Sequence, residues 1–253
     1  MTEYTDHHAP EGLRTRGTIV VVPGRGETRA TYGRFARRLA ADAYRVRVID
    51  APDFDTSGTD AALSRFGAAL AGAVDGTAAD GGVVGPVVLV GADAGAVALA
   101  ALLGRGGSGW AADAVVLAGL PGSASSTVGS WDEELDIRTS CPAHRGTLSD
   151  DSRVRRGSLG DAVPDALLSA AYNADLPVPA LFLVGDADRL ADHDALTRTA
   201  KSQARARLSV VHGAHHDVLN DVNHRSVAAE TVAFLETLRN GLVPVVSVES
   251  SSW

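Results

Sequence analysis

Residues 87–99, Val87-Val88-Leu89-Val90-Gly91-Ala92-Asp93-Ala94-Gly95-Ala96-Val97-Ala98-Leu99, run from β-branched residues through G-x-D-x-G into an alanine-rich, helix-forming segment. A strand that turns this sharply into a helix presents the residue at the turn on the C-terminal edge of a parallel sheet. That residue is Asp93. An aspartate before a helix is also an ordinary N-cap, so its chemistry depends on what else reaches the same edge.

Outward from this point, strand-like and helix-like runs alternate, the order of a parallel sheet with crossover helices. Strands are expected at Thr18–Val22, Tyr44–Ile49, Pro86–Val90, Ala114–Leu117, Pro177–Val184 and Leu208–Val211. Helices are expected near Arg29–Ala41, Ala61–Val74, residues 94–103, Asp192–Ala204 and Val222–Leu238. The rhythm divides the chain into an N-terminal tail (1–16), a first core part (17–122), a polar insert (123–175), a second core part (176–240) and a C-terminal tail (241–253). The insert has the length of a small cap over the edge where open α/β sheets bind ligands.

The chain has 253 residues, a net charge of -8 and one lysine, Lys201. That balance speaks against a nucleic-acid surface. No apolar run reaches the length of a bilayer span. The one cysteine, Cys141, excludes an internal disulfide and fits a reducing cytoplasm. No secretory signal is visible at the N-terminus. The expected partner is a small-molecule substrate, with neither nucleic acid nor membrane, and a homodimer stays open.

Three polar sites follow predicted strands in the order Asp93, Asp188, His216. The segment Val20–Asp50, VVVPGRGETRATYGRFARRLAADAYRVRVID, resembles the start of α/β-hydrolases of the monoacylglycerol-lipase and lysophospholipase-like group. Residues 181–188 resemble their acid-bearing strand end, and His212–Asp221, HGAHHDVLND, resembles their histidine motif with His216 in the catalytic position. The resemblance implies a three-layer α/β-hydrolase fold with a mostly parallel sheet and a small cap insert. It also implies nucleophile, acid and histidine roles for Asp93, Asp188 and His216, and an oxyanion hole from the backbone N–H groups of Arg25 and Ala94. Two positions depart from the pattern. Pro23 stands where the group has histidine, and Asp93 replaces serine, as in the epoxide hydrolases and haloalkane dehalogenases of the same superfamily.

A carboxylate attacking an ester carbonyl gives a mixed anhydride that tends to revert. At a saturated carbon bearing a leaving group it forms an alkyl ester, which water activated by His216 then cleaves. Epoxide opening is favoured over dehalogenation, because the residue after the nucleophile is Ala94 and not the tryptophan on which those dehalogenases lean. Tyr32, Trp131 and Tyr172 are the substrate-pocket candidates. Arg25 and Glu27 are read as pairing to shape the oxyanion turn, and His144 with Arg153, Arg155 and Arg156 as solvated charge or contacts to an anionic substrate. No cofactor is implied and no metal site is read, since the adjacent His215 and His216 lack zinc-ligand spacing. Residues 24–27 lack the lysine of a phosphate loop. A non-hydrolytic acid/base catalyst and a catalytically silent binding protein are the alternatives.

Overall fold

The computed structural model describes residues 3–52, 58–79, 81–106, 112–123 and 129–251. Seven strands, β1 (Tyr4–His7), β2 (Thr18–Val22), β3 (Arg45–Ile49), β4 (Val87–Ala92), β5 (Ala114–Ala118), β6 (Ala180–Gly185) and β7 (Ala206–Val211), form one sheet in the order β1-β3-β2-β4-β5-β6-β7. All neighbours run parallel except β1, which is antiparallel to β3. The helices are α1 (Gly33–Ala41), α2 (Thr59–Asp75), α3 (Ala94–Gly104), α4 (Trp131–Arg138), α5 (Pro142–Asp150), α6 (Asp165–Tyr172), α7 (His193–Ser202) and α8 (His224–Arg239). No helix among the described residues is long and apolar enough to cross a membrane.

The two-residue period of a strand sends alternate side chains to opposite faces, and the inner strands are apolar on both. Ile19 and Val21 of β2 join one core with Phe35 and Leu39 of α1 and Phe234 and Leu235 of α8. Val20 and Val22 face the other, among residues of α2, α3, α6 and α7. This is a three-layer arrangement with helices on both faces. Helix α3 is buried on every side from Ala94 to Leu103, which is why its sequence is alanine-rich with no polar face.

The main difference from expectation lies at the N-terminus. Tyr4–His7 falls inside the segment expected to be a tail, yet it pairs with β3. Its stabilisation is ionic as well as backbone: Asp6 accepts from Arg47 at 2.7 Å through both Nε and Nη2, and the Arg47 guanidinium stacks 3.6 Å from the Tyr4 ring. A four-residue polar strand leaves no hydrophobic alternation to read. The helix expected over Arg29–Ala41 is instead a 3₁₀ turn at Arg29–Tyr32 followed by α1.

Between β5 and β6 the chain forms α4, α5 and α6, of eight, nine and eight residues. This segment is tied to the C-terminal edge of the sheet by backbone hydrogen bonds. His216 N donates to Ile137 O at 3.3 Å, Asp217 N to Arg138 O at 2.8 Å, and Arg155 N to Gly26 O at 2.9 Å. The loop bearing His216 and the turn bearing Arg25 are therefore braced by the same insert.

Candidate active site

Asp93 sits between β4 and α3 with φ 47° and ψ -122°, a left-handed conformation that a non-glycine residue holds only under tertiary constraint. The glycines beside it permit the turn. A Cβ on Gly91 would lie 2.7 Å from the backbone of Ala96, and one on Gly95 would lie 2.5 Å from Pro23 O. The Asp93 side chain makes no cap bond to α3. It points to the site.

His216 follows β7 and Asp188 follows β6. His216 Nδ1 donates to Asp188 Oδ2 at 3.0 Å, and Asp188 Oδ1 accepts from Leu190 N at 2.9 Å, which fixes the carboxylate. On the other side of the ring, Nε2 lies 3.2 Å from Asp93 Oδ1, out of alignment for a hydrogen bond. All three side chains are buried. Burial alone would lower the His216 pKa, but the Asp188 charge and then Asp93 outweigh it and push it up to about 10. His216 is therefore an imidazolium at neutral pH. Burial would raise Asp93, but Arg25 foremost and His216 next hold it well below the usual carboxylate range.

The Arg25 backbone N–H donates to Asp93 Oδ2 at 2.8 Å, so one oxygen of the aspartate already occupies the position predicted for an oxyanion. Ala94 opens α3, where a helix N–H has no intrahelical partner. The Arg25 side chain also clamps Asp93, through Nε at 2.9 Å to Oδ2 and Nη2 at 2.8 Å to Oδ1. Arg25 and Glu27 do not pair as the sequence reading had them. The Arg25 guanidinium finds a full carboxylate and two further carbonyls, Leu159 O at 3.2 Å and Asp161 O at 2.6 Å. Glu27 instead accepts from Gly24 N at 2.9 Å and from the Tyr32 hydroxyl.

Behind the turn lies a buried network that the sequence reading missed. Arg138 is fully buried, bonded to Glu134 Oε1 at 2.8 Å, to Arg25 O at 2.8 Å and to Asp217 Oδ1 at 3.5 Å. His144, read as solvated loop charge or a substrate contact, is 1% exposed with Nε2 2.8 Å from Asp217 Oδ2. The signal available in sequence was the Glu134/Arg138 spacing of four on one helix face, but nothing there marks such a pair as buried. Burial foremost, with Asp217 second, pushes the Glu27 carboxyl up to about 7. Glu27, His144 and Asp217 each offer a ligand atom within 4.8 Å of the others, the one such group among the described residues. Arg138 already supplies the cation that neutralises this cluster.

A cavity of about 510 Å³ opens beside the site, lined by Gly24, Arg25, Glu27, Ala94, Arg153 and Arg155 among others. None of the three pocket candidates lines it. Tyr32 is 1% exposed with its hydroxyl on Glu27 and Gly24 N. Trp131 packs on Leu135, Leu148 and Val154 inside the insert and donates to Ser149. Tyr172 donates to Pro121 O at 3.1 Å and packs against the core. Each satisfies its polar atom internally, the usual fate of a part-buried aromatic.

Compared with solved structures, the chain superposes on a monoacylglycerol lipase from Paleococcus ferrophilus with a TM-score of 0.70 at 17% identity, over 94% of this chain and 99% of that one. A soluble variant of monoglyceride lipase from Saccharomyces cerevisiae, in complex with a substrate analog, gives 0.73 at 13% identity over 93% and 91%. Esterase RhEst1 from Rhodococcus sp. ECU1013 gives 0.63 at 20% identity over 94% and 96%. These likenesses establish the α/β-hydrolase fold. No protein-family model matches the chain, and no curated protein matches it in sequence.

Proposed function

We propose that the protein is a cofactor-independent hydrolase of small epoxides that works through an alkyl ester on Asp93. The observation that carries this reading is the division of labour between the two Asp93 oxygens. Oδ2 accepts from the Arg25 N–H at 2.8 Å, one of the two donors this reading assigns to an oxyanion, while Oδ1 faces His216 Nε2 at 3.2 Å. The lipase and esterase likenesses support a hydrolytic fold, but a carboxylate at this turn is unsuited to acyl transfer and suited to alkyl transfer.

Asp93 Oδ1 attacks an epoxide carbon, the ring C–O bond breaks, and the departing oxygen takes the Nε2 proton of the His216 imidazolium. The proton comes from His216, whose Nε2 lies 3.2 Å from the attacking oxygen and which Asp188 and Asp93 keep charged. His216 is then neutral and able to act as a base. It takes a proton from water attacking the Asp93 carboxyl carbon, and the oxyanion forms on Oδ2 against the Arg25 and Ala94 N–H groups. Collapse releases the diol, whose alkoxide receives that proton. The new carboxylic acid on Asp93 returns its own proton to His216. The sum is epoxide plus water to diol.

The second reading treats Asp93 as a fixed counter-ion and His216 as a non-hydrolytic acid/base, and the bidentate Arg25 clamp favours it. Turnover of an epoxide panel in water carrying the heavy oxygen isotope separates the two. The ester route places solvent oxygen in the Asp93 carboxylate, read by peptide mass. Turnover without label in Asp93 sinks the ester route, and no turnover by the folded protein sinks the hydrolase reading altogether.

A further inference from the structure

The Arg25 side chain stands where a substrate has to go. It lines the cavity of about 510 Å³ and also a second of about 230 Å³ bounded by Pro121, Leu159, Leu168 and Leu190, while Asp93 lines neither. The guanidinium therefore closes the nucleophile off from both spaces. A bidentate guanidinium also engages the carboxylate lone pairs that would attack. Asp93 becomes reactive only when this clamp opens.

The backbone at Arg25 is held independently of its side chain. Arg25 O accepts from Arg138 Nη2 at 2.8 Å and from Ser158 Oγ at 3.1 Å, so the side chain can turn away while the oxyanion donor stays in place. A neutral substrate offers the released guanidinium nothing in exchange for Asp93. A planar anion of the same shape replaces one carboxylate by another, and the guanidinium fork matches that geometry. The mouth of the larger cavity carries two further arginines on a chain whose net charge is -8. Arg153 and Arg155 are 62% and 68% exposed and paired to Asp151 and Asp161, surface pairs weak enough to rearrange.

We propose that Arg25 is the receptor for a carboxylate on the substrate, and that this carboxylate exchanges with Asp93 on the guanidinium and frees the nucleophile. The substrate class is then a short epoxide with a carboxylate close to the ring. This inference rests on the nucleophile reading of Asp93 for its chemistry, though not for its binding step.

Two experiments separate the parts. Propionate, which cannot react, is titrated calorimetrically into the full chain and into Asp93→Asn. Removing the competing carboxylate tightens propionate binding by about tenfold or more, and adding Arg25→Gln abolishes the gain while Arg25→Lys keeps part of it. If propionate binds Asp93→Asn no better than the parent, or binds equally without Arg25, the receptor proposal is wrong whatever the activity. Glycidate and glycidamide, which share a ring and differ in charge, are then compared as substrates. Glycidate is preferred by roughly a hundredfold in kcat/KM, and Arg25→Gln erases the preference between the two substrates. Propionate binding without glycidate turnover keeps the receptor and overturns the epoxide reading. Glycidamide turnover matching glycidate, with label in Asp93, keeps the nucleophile and overturns the receptor.

Discussion

Two buried carboxylates flank one glycine and meet opposite fates. A Cβ on Gly24 would lie 2.8 Å from both Asp93 Cβ and Glu27 Oε2. Asp93 is held ionised by Arg25 and His216, whereas Glu27, next to Asp217 and bonded to a neutral phenol, has its pKa pushed up to about 7. Burial is nearly the same at 3% and 7% exposure. What differs is the local count of cations against anions. Desolvation raises both carboxyls, and only the one with a direct guanidinium partner overcomes it.

The sharpest break of this comparison is Asp93→Asn. It removes the proposed nucleophile and leaves Arg25 without its counter-ion, while His216 keeps Asp188, so steady-state turnover is expected to fall by about four orders of magnitude or more. Asp188→Asn is expected to cost roughly a thousandfold in kcat, with a change in shape as well as height. On the proposed route the parent's rate is expected to fall as pH rises through about 10, where His216 loses the proton the first step needs. In the variant that alkaline limb moves to lower pH, and a pH–rate profile that keeps its limb rules out Asp188 as the source of the raised pKa.

On the Glu27 side the effects fall on stability. Arg138→Met leaves Glu134 and Asp217 without their shared cation and lowers unfolding free energy by about 3–5 kcal/mol, measured by denaturant titration. Glu27→Gln acts more mildly and with a predictable sign. Its folded pKa of about 7 lies above the reference value of 4.5, so its contribution is fully present below pH 4.5 and is lost as pH rises through about 7. Replacing it by glutamine flattens the stability profile over that window and raises stability at pH 8 by on the order of 2 kcal/mol. An unchanged slope between pH 5 and 7 would mean that Glu27 is ionised in the fold. Tyr172→Phe is the smallest change, altering kcat/KM by less than about twofold and stability by roughly 1 kcal/mol, because its hydroxyl serves Pro121 and not the cavity.

Much of the architecture was legible because its signals are local. The six parallel strands were marked by β-branched runs ending in Gly, Pro or Asp, and the structure moves their ends by only a few residues. The turn at Asp93 was marked by the two glycines that its close contacts require. The strand Tyr4–His7 was not legible, since Asp6, Arg45 and Arg47 hold it with charges that pattern as surface. The two pocket aromatics of the insert, Trp131 and Tyr172, misled for a related reason. An aromatic in an insert reads the same whether it lines a cavity or, like Trp131, fills the insert's own small core.

The sequence by itself determined the three-layer α/β plan and the placing of Asp93, Asp188 and His216 at the ends of β4, β6 and β7, because hydrophobic period and turn residues act over a few neighbours. Only the tertiary structure decided what those residues face. Arg25 meets Asp93 across 68 positions and Arg138 meets Asp217 across 79. Long charged side chains choose partners by distance through space and by the dielectric around them. No window of sequence shows that Arg25 covers the aspartate or that His144 is sealed beneath the insert.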